Sequence, residues 1–155
     1  MLDARRPPAV AAAALAFGGW TLFVWVGRLR NLLAEPGSVL DVSRWSLVGS
    51  VAFTIGGLAV VASAALRWRQ GPGGSAHRLL TPSVVALAGL TTGVWLVRAV
   101  DIALGDHSVG FIAVHLVLAA VSIGLAAVAV AAIRRSGDDT EMADGRLPST
   151  QWVSQ

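Results

Sequence analysis

Residues 109–133 read VGFIAVHLVLAAVSIGLAAVAVAAI, and His115 is the one ionisable side chain in this run. A helix of this length rises roughly 37 Å, more than the roughly 30 Å hydrocarbon core of a bilayer. Three further long apolar runs cover 8–27, 45–66 and 84–104. Peptide groups cannot stay unpaired in lipid, and continuous apolar runs do not fit the alternating pattern of a barrel. The sequence therefore predicts an all-α polytopic membrane protein with four transmembrane helices.

The composition agrees with this fold class. Of 155 residues, 55% are apolar and only 14% are charged, and the mean hydropathy is +0.68, which is outside the soluble norm. No cysteine is present, which excludes disulfides and thiol chemistry. The net charge is only +3 and the arginines lie at the ends of apolar runs, so nucleic acid is not an expected partner. The lack of lysine and the abundance of alanine, glycine and valine indicate a bacterial source with a GC-rich genome.

Turn-forming residues separate the four runs. Pro36-Gly37 interrupts the first connection, Gly71-Pro72 the second, and 105–108 form a tight third turn. Residues 1–135 are predicted to form the transmembrane domain, and 136–155 a disordered acidic cytoplasmic tail. Arginines 5 and 6 before an apolar run could also begin a signal peptide. Because that run is long enough to span and lacks a clear cleavage region, an uncleaved first helix is the preferred interpretation.

The distribution of arginine predicts the orientation. The cytoplasmic side of a membrane protein carries the excess of positive charge near short loops. One side collects Arg5, Arg6, Arg67, Arg69, Arg78, Arg134 and Arg135. The other carries Arg28, Arg30, Arg44 and Arg98, matched by Glu35, Asp41, Asp101 and Asp106. We therefore expect a multi-pass protein of the plasma membrane with both termini in the cytoplasm.

The two halves of the chain resemble each other at a separation of about 70 residues. VWVGRLRN at 24–31 aligns with VWLVRAVD at 94–101, and each motif is followed by a turn and a long apolar helix that ends in arginine. This pattern predicts two helical hairpins in tandem, related by an axis along the membrane normal. The alternative is that tryptophan and arginine recur because each outer helix end needs interfacial anchors.

Five polar residues near the predicted outer face form the candidate site. Arg28 and Asn31 are three positions apart in one motif, as are Arg98 and Asp101 in the other, so each pair shares a helix face. His115 is expected at nearly the same depth on the neighbouring helix. Ionisable groups at this depth often mark a pocket for an anion, a lipid headgroup or a proton. The interpretation we favour from sequence is that both arginines extend to the interface and His115 packs between helices.

Small residues recur four positions apart in every run, which is typical of close helix packing. The glycines expected to pack are Gly18, Gly56, Gly89, Gly93 and Gly124. Packing within one chain is the first interpretation, and self-assembly is the second.

No pattern in the sequence indicates an enzyme, a metal site or a cofactor. No nucleophile triad or phosphate-binding loop is present, and no two histidines or acids lie at i, i+4 within a run. Haem held by two histidines would need a second intramembrane histidine beside His115.

Residues 20–33, WTLFVWVGRLRNLL, resemble small four-helix membrane proteins of actinobacteria to which no role has been assigned. The resemblance covers the first hairpin only and implies a plasma-membrane location. Small multidrug transporters share the four-helix size but carry an acid in the first span, which is absent here.

Two functions remain from the sequence. The first is a non-catalytic accessory or scaffold subunit, which packs against another membrane protein or against itself in the lipid bilayer. The second is a small oligomeric transporter or channel that uses the outer Arg/Asp/His cluster. We favour the first, because a four-helix bundle with one modest polar cluster leaves little room for a conduction path.

Overall fold

The structure is a computed structural model that describes residues 9–34, 44–70 and 76–144, with side chains omitted at 44, 76, 77 and 137–144. These ranges form four α-helices: α1 (Ala9–Ala34), α2 (Arg44–Gln70), α3 (Ala76–Leu104) and α4 (Val109–Asp144). The predicted all-α class is confirmed. Each helix contains a stretch long enough and apolar enough to cross a membrane.

The helices are longer than the apolar runs that predict them. The first continues to Ala34, beyond the predicted end at 27, and the third begins at Ala76, before the predicted start at 84. Hydropathy locates only the part of a helix that suits lipid, whereas hydrogen bonding extends a formed helix one residue at a time. Pro82 lies inside α3, beyond its first turn, so its missing N–H leaves the carbonyl oxygen of Arg78 without that helical partner.

The fourth helix enters the segment predicted to be a disordered tail. It ends at Asp144, so the backbone of 136–144 is helical, while 145–155 lie outside the described residues. The segment contains no proline before Pro148, so nothing in its backbone chemistry stops a helix that already exists.

The four helices form a closed ring. The first packs against α2, α2 against α3, α3 against α4, and α4 returns to α1. The first two helices run antiparallel, because Trp25 stacks on Phe53 at one level whereas Gly18 lies beside Val60 at another. The contact between α1 and α2 is the most extensive in the ring.

The apolar core occupies one half of this bundle. It draws on the N-terminal halves of α1 and α3 and on the C-terminal halves of α2 and α4. Its largest fully buried side chains are Phe17, Leu80, Val60 and Val84. The remaining members, apart from Phe53, fall in the same half: Val10, Ala14, Ala64, Leu87, Ala88, Ala126 and Ala129. The other half, where α1 and α3 end, is less tightly filled.

Glycine allows the closest approach of α1 and α2. A Cβ atom added to Gly18 would lie 2.9 Å from Val61 Cγ2 and 3.2 Å from the carbonyl oxygen of Gly57. Gly57 faces Gly18 in turn, and the sequence analysis did not single it out. At Gly56 an added Cβ would lie 2.9 Å from Leu87 Cδ1, so this glycine also permits close packing.

The other three predicted packing glycines have open space beside them. A Cβ added at Gly89, Gly93 or Gly124 would meet no atom within 4 Å. Packing between helices of one chain therefore does not require glycine at these positions. The spacing identifies a face of small residues, but it does not show whether that face is turned toward a neighbouring helix.

The outer surface of the bundle is apolar. Large side chains such as Ile55 (61% exposed), Leu90 (58%) and Val117 (61%) point away from the core. Soluble monomers rarely expose apolar surface on this scale, whereas helices surrounded by lipid do. The surface therefore fits the membrane-crossing length of the four helices.

Gly18→Val should lower the free energy of unfolding by about 1–3 kcal/mol, because the added methyl groups overlap Val61 and the Gly57 backbone. Gly124→Val is the matched control, since the same change there meets open space. Thermal denaturation of the purified protein in detergent measures both. Equal losses in the two variants would contradict the close approach of α1 and α2.

Candidate polar cavity

A cavity of about 1060 Å³ lies in the half of the bundle opposite the core. Its walls come from the C-terminal halves of α1 and α3 and from the N-terminal halves of α2 and α4. All five residues of the candidate site line it: Arg28, Asn31, Arg98, Asp101 and His115. The structure thus brings together side chains that are up to 87 positions apart (115 minus 28) in the chain.

Missing side chains create this space. Gly27, Gly49 and Gly93 line the cavity, one on each of three helices, and a Cβ added at any of them would meet no atom within 4 Å. Of these, only Gly93 was singled out from sequence, and there as a packing residue. The neighbouring residue Val94, and Phe53 of α2, form part of the apolar wall of the cavity.

Arg98 and Asp101 form the ion pair that their spacing predicts. One guanidinium nitrogen of Arg98, Nη1, lies 3.1 Å from Asp101 Oδ2 and donates a hydrogen bond to it. The side chains are 36% and 62% exposed within the bundle. One such pair in water contributes little stability, so its main effect is to offset the charge of Arg98.

Arg28 has a different environment. Its Nε is buried and has no hydrogen-bond partner within the described ranges. The guanidinium carbon lies 5.8 Å from the ring centroid of Trp25, one turn earlier in α1, which is within cation–π range. The aromatic ring covers one face of the guanidinium, but it leaves that N–H group without an acceptor.

His115 is oriented by its own helix. Its Nδ1 donates a hydrogen bond to the backbone oxygen of Phe111 at 2.8 Å, which leaves Nε2 as the other polar atom of the ring. Phe111 lies between two imidazoles, with centroid distances of 3.9 Å to His115 and 4.6 Å to His107. This stack stiffens the first turns of α4 beside the cavity.

Polarity changes along the cavity. Asn31 and Asp101 lie near the helix ends, and Arg28 and Arg98 lie about one turn deeper. Beyond them come aromatic and aliphatic side chains, and Trp25 stacks on Phe53 with 4.2 Å between ring centroids. The cavity therefore combines a polar end with an apolar floor.

The hydroxyl groups of Thr54 and Ser122 lie apart from the cavity lining. Thr54 Oγ1 donates to the Ser50 carbonyl oxygen in its own helix. Ser122 Oγ instead accepts a 2.9 Å hydrogen bond from Trp20 Nε1, which joins α4 to α1. A linear pattern does not predict this contact, because an indole N–H gives no indication of its partner.

The described residues contain no group of three histidine, aspartate or glutamate side chains that could hold a metal ion. No protein family, curated protein or solved structure matches the chain. The class that the fold defines is accordingly an all-helical protein with four helices suited to crossing a membrane and a polar cavity at one end. The resemblance of residues 20–33 to small actinobacterial membrane proteins stays a resemblance.

Trp20→Phe and Ser122→Ala should each lower the free energy of unfolding, by about 0.5–2 kcal/mol, since each removes the bond between α1 and α4. The double variant should cost less than the sum of the two, because both changes remove the same bond. Thermal unfolding in detergent completes this double-mutant cycle. Strict additivity would show that the two side chains do not interact.

Proposed function

We propose that the chain is a multi-pass protein of the bacterial plasma membrane, with both termini in the cytoplasm and the cavity on the outer side. The four apolar helices, their apolar outer surface and the distribution of arginine support this arrangement. We also propose that α1–α2 and α3–α4 are tandem hairpins of one kind. The equivalent arginines of the two motifs, Arg28 and Arg98, line the same cavity, as a duplication would predict.

Within this arrangement we propose a non-catalytic role: the protein binds an amphipathic ligand in the cavity. The observation that carries the proposal is the convergence of five polar side chains from three helices on one space of about 1060 Å³. Ligand sites have about this size and combine apolar walls with a few placed polar groups. Interfacial anchoring, the interpretation favoured from sequence, does not by itself call for a cavity.

The packed half of the bundle favours binding over conduction. A solute crossing through one copy would have to pass Phe17, Val60, Leu80 and Val84, which are fully buried. Moving such side chains would break the dense packing that holds the helices together. A transporter or channel would therefore need a path between several copies.

An accessory or scaffold role is the second candidate, and α4 favours it. Only 17% of the apolar stretch of α4 is buried, compared with 28–33% in the other helices. This leaves α4 the most surface for packing against another membrane protein or a second copy. Such a role does not use the cavity.

Single cysteines at 38, 75 and 107 should report the proposed topology, because the chain has no cysteine of its own. Ser38→Cys and His107→Cys should react with a membrane-impermeant maleimide in intact cells. Ser75→Cys should react only after the membrane is permeabilised. Labelling of positions 38 and 75 from the same side would rule out the first hairpin as proposed.

Gly93→Leu should place a branched side chain inside the cavity and obstruct ligand binding without disturbing the fold, since the position lines the cavity and has open space beside it. We expect a diazirine-bearing phospholipid, activated by light in nanodiscs, to label cavity residues such as Leu118 in the native chain. That labelling should fall at least about tenfold in Gly93→Leu, as blocking a site costs more than roughly 1.4 kcal/mol of binding.

Gly89→Leu is the matched control, one turn away on α3, also with open space but outside the cavity lining. It should leave labelling of cavity residues unchanged. If both variants label like the native chain, the cavity holds no amphipathic ligand and the accessory role gains weight.

A further inference from the structure

The charges around the cavity favour an anionic ligand. Among the described lining residues, Arg28 and Arg98 are positive and Asp101 is negative, so the formal charge is +1 when histidine is counted as neutral. Two like charges facing one low-dielectric space repel each other, and Asp101 offsets only one of them. An anion placed between the arginines would relieve this repulsion.

Arg28 is the group best placed to hold that anion. Its side chain lines the cavity and has no ion pair in the described part of the chain, whereas Arg98 already donates to Asp101. An arginine without a counter-ion in a low-dielectric space costs free energy, which an anion beside it would recover. The planar guanidinium presents its donors as a fork, which matches the spacing of oxygens on a phosphate.

The apolar floor shows what else the ligand must carry. Free phosphate would contact the arginines but leave the space lined by Phe53, Val94 and Leu118 unfilled. Polar groups lie near the helix ends and apolar groups deeper, which is the order of headgroup and acyl chain in a bilayer leaflet. A lipid could therefore occupy the cavity in the orientation it already has in the membrane.

We infer that the cavity binds the phosphate headgroup of an anionic lipid, with Arg28 as the main ligand to the phosphate oxygens and the acyl chain against the apolar floor. This inference rests on the proposed function, because it names the ligand class of the same cavity. Asp101 limits affinity by competing for Arg98. Because Nδ1 of His115 donates to Phe111, Nε2 of the neutral ring is an acceptor, which suits a headgroup hydroxyl and not a phosphate oxygen.

The test reconstitutes the full chain in nanodiscs with equal amounts of phosphatidylglycerol and phosphatidylcholine of identical acyl chains. After transfer to detergent, native mass spectrometry measures the ratio of the two lipids retained per protein. The native chain should retain phosphatidylglycerol preferentially. Arg28→Gln should lower this ratio about tenfold or more, because the arginine attracts the net negative charge of phosphatidylglycerol, which the choline group cancels in phosphatidylcholine.

Arg30→Gln is the matched control. Arg30 is exposed, lies on the same helix end and is not part of the cavity lining, so the variant removes an equal charge outside the site. Its lipid ratio should stay within about twofold of the native value, as expected for a screened interfacial charge. An equal loss in Arg28→Gln and Arg30→Gln would overturn the inference in favour of general surface attraction.

Asp101→Asn distinguishes a loss of lipid binding from a loss of folding. Removing the carboxylate frees Arg98, so this variant should retain more phosphatidylglycerol than the native chain, which an unfolded protein would not do. A decrease in the retained phosphatidylglycerol would contradict the competition between Asp101 and the lipid for Arg98. Inorganic phosphate in large excess should not displace the lipid, and displacement would overturn the lipid as the source of the anion.

The result also separates this inference from the proposed function. If lipid is retained and lost in Gly93→Leu, but with no preference for phosphatidylglycerol, the cavity binds an amphiphile and the anionic headgroup is wrong. If Gly93→Leu retains lipid like the native chain, the proposed function itself fails.

Discussion

The fold depends on where peptide groups find hydrogen bonds. In an apolar medium no water is available to satisfy an N–H or a carbonyl, so each long run must bond within its own helix. Side-chain hydroxyls likewise find their hydrogen-bond partners within their own helix. Ser50, Thr54, Ser83 and Thr92 all donate to the carbonyl oxygen four residues earlier in their own helix. Because each helix satisfies its own hydrogen bonds, the way the helices pack depends on how well their surfaces fit, and side-chain size determines that fit.

Side-chain size divides the bundle into two halves. Where Gly18 faces Gly57, the backbones of α1 and α2 approach closely and the neighbouring apolar side chains fill the space. In the other half, Gly27, Gly49 and Gly93 face open space, and a cavity remains. Glycine thus has opposite effects in the two halves. It closes the bundle where a neighbouring backbone is present and opens it where none is.

The cavity concentrates groups that would be costly to place in a membrane. Two arginines share one space with a single described carboxylate, and a buried N–H of one arginine has no acceptor among the described residues. A structure that served only to hold four helices together would gain stability by replacing these groups with apolar ones. Their convergence supports the proposed ligand, which would supply negative charge and apolar surface together.

Much of this protein follows from its sequence. The four helices and the pairing of Arg98 with Asp101 depend on hydropathy, turn residues and helical periodicity, which are local properties. Residues 28, 31, 98, 101 and 115 could be grouped from depth alone, since helical rise converts position into depth. The ends of the helices are harder to predict from sequence. The fourth helix extends into the predicted tail, because hydropathy does not detect a helix that leaves the apolar region.

Rotation of each helix about its axis is what only the tertiary structure decided. Periodicity places Gly89 and Gly93 on one face, but the contacts of α3 with its neighbours determine that Gly93 lines a cavity and that neither of them packs against another helix. The same contacts bring Trp20 to Ser122 and leave Arg28 Nε buried. Apolar runs that are hydrophobic on all sides carry no signal for such rotation, because lipid and protein neighbours are equally apolar.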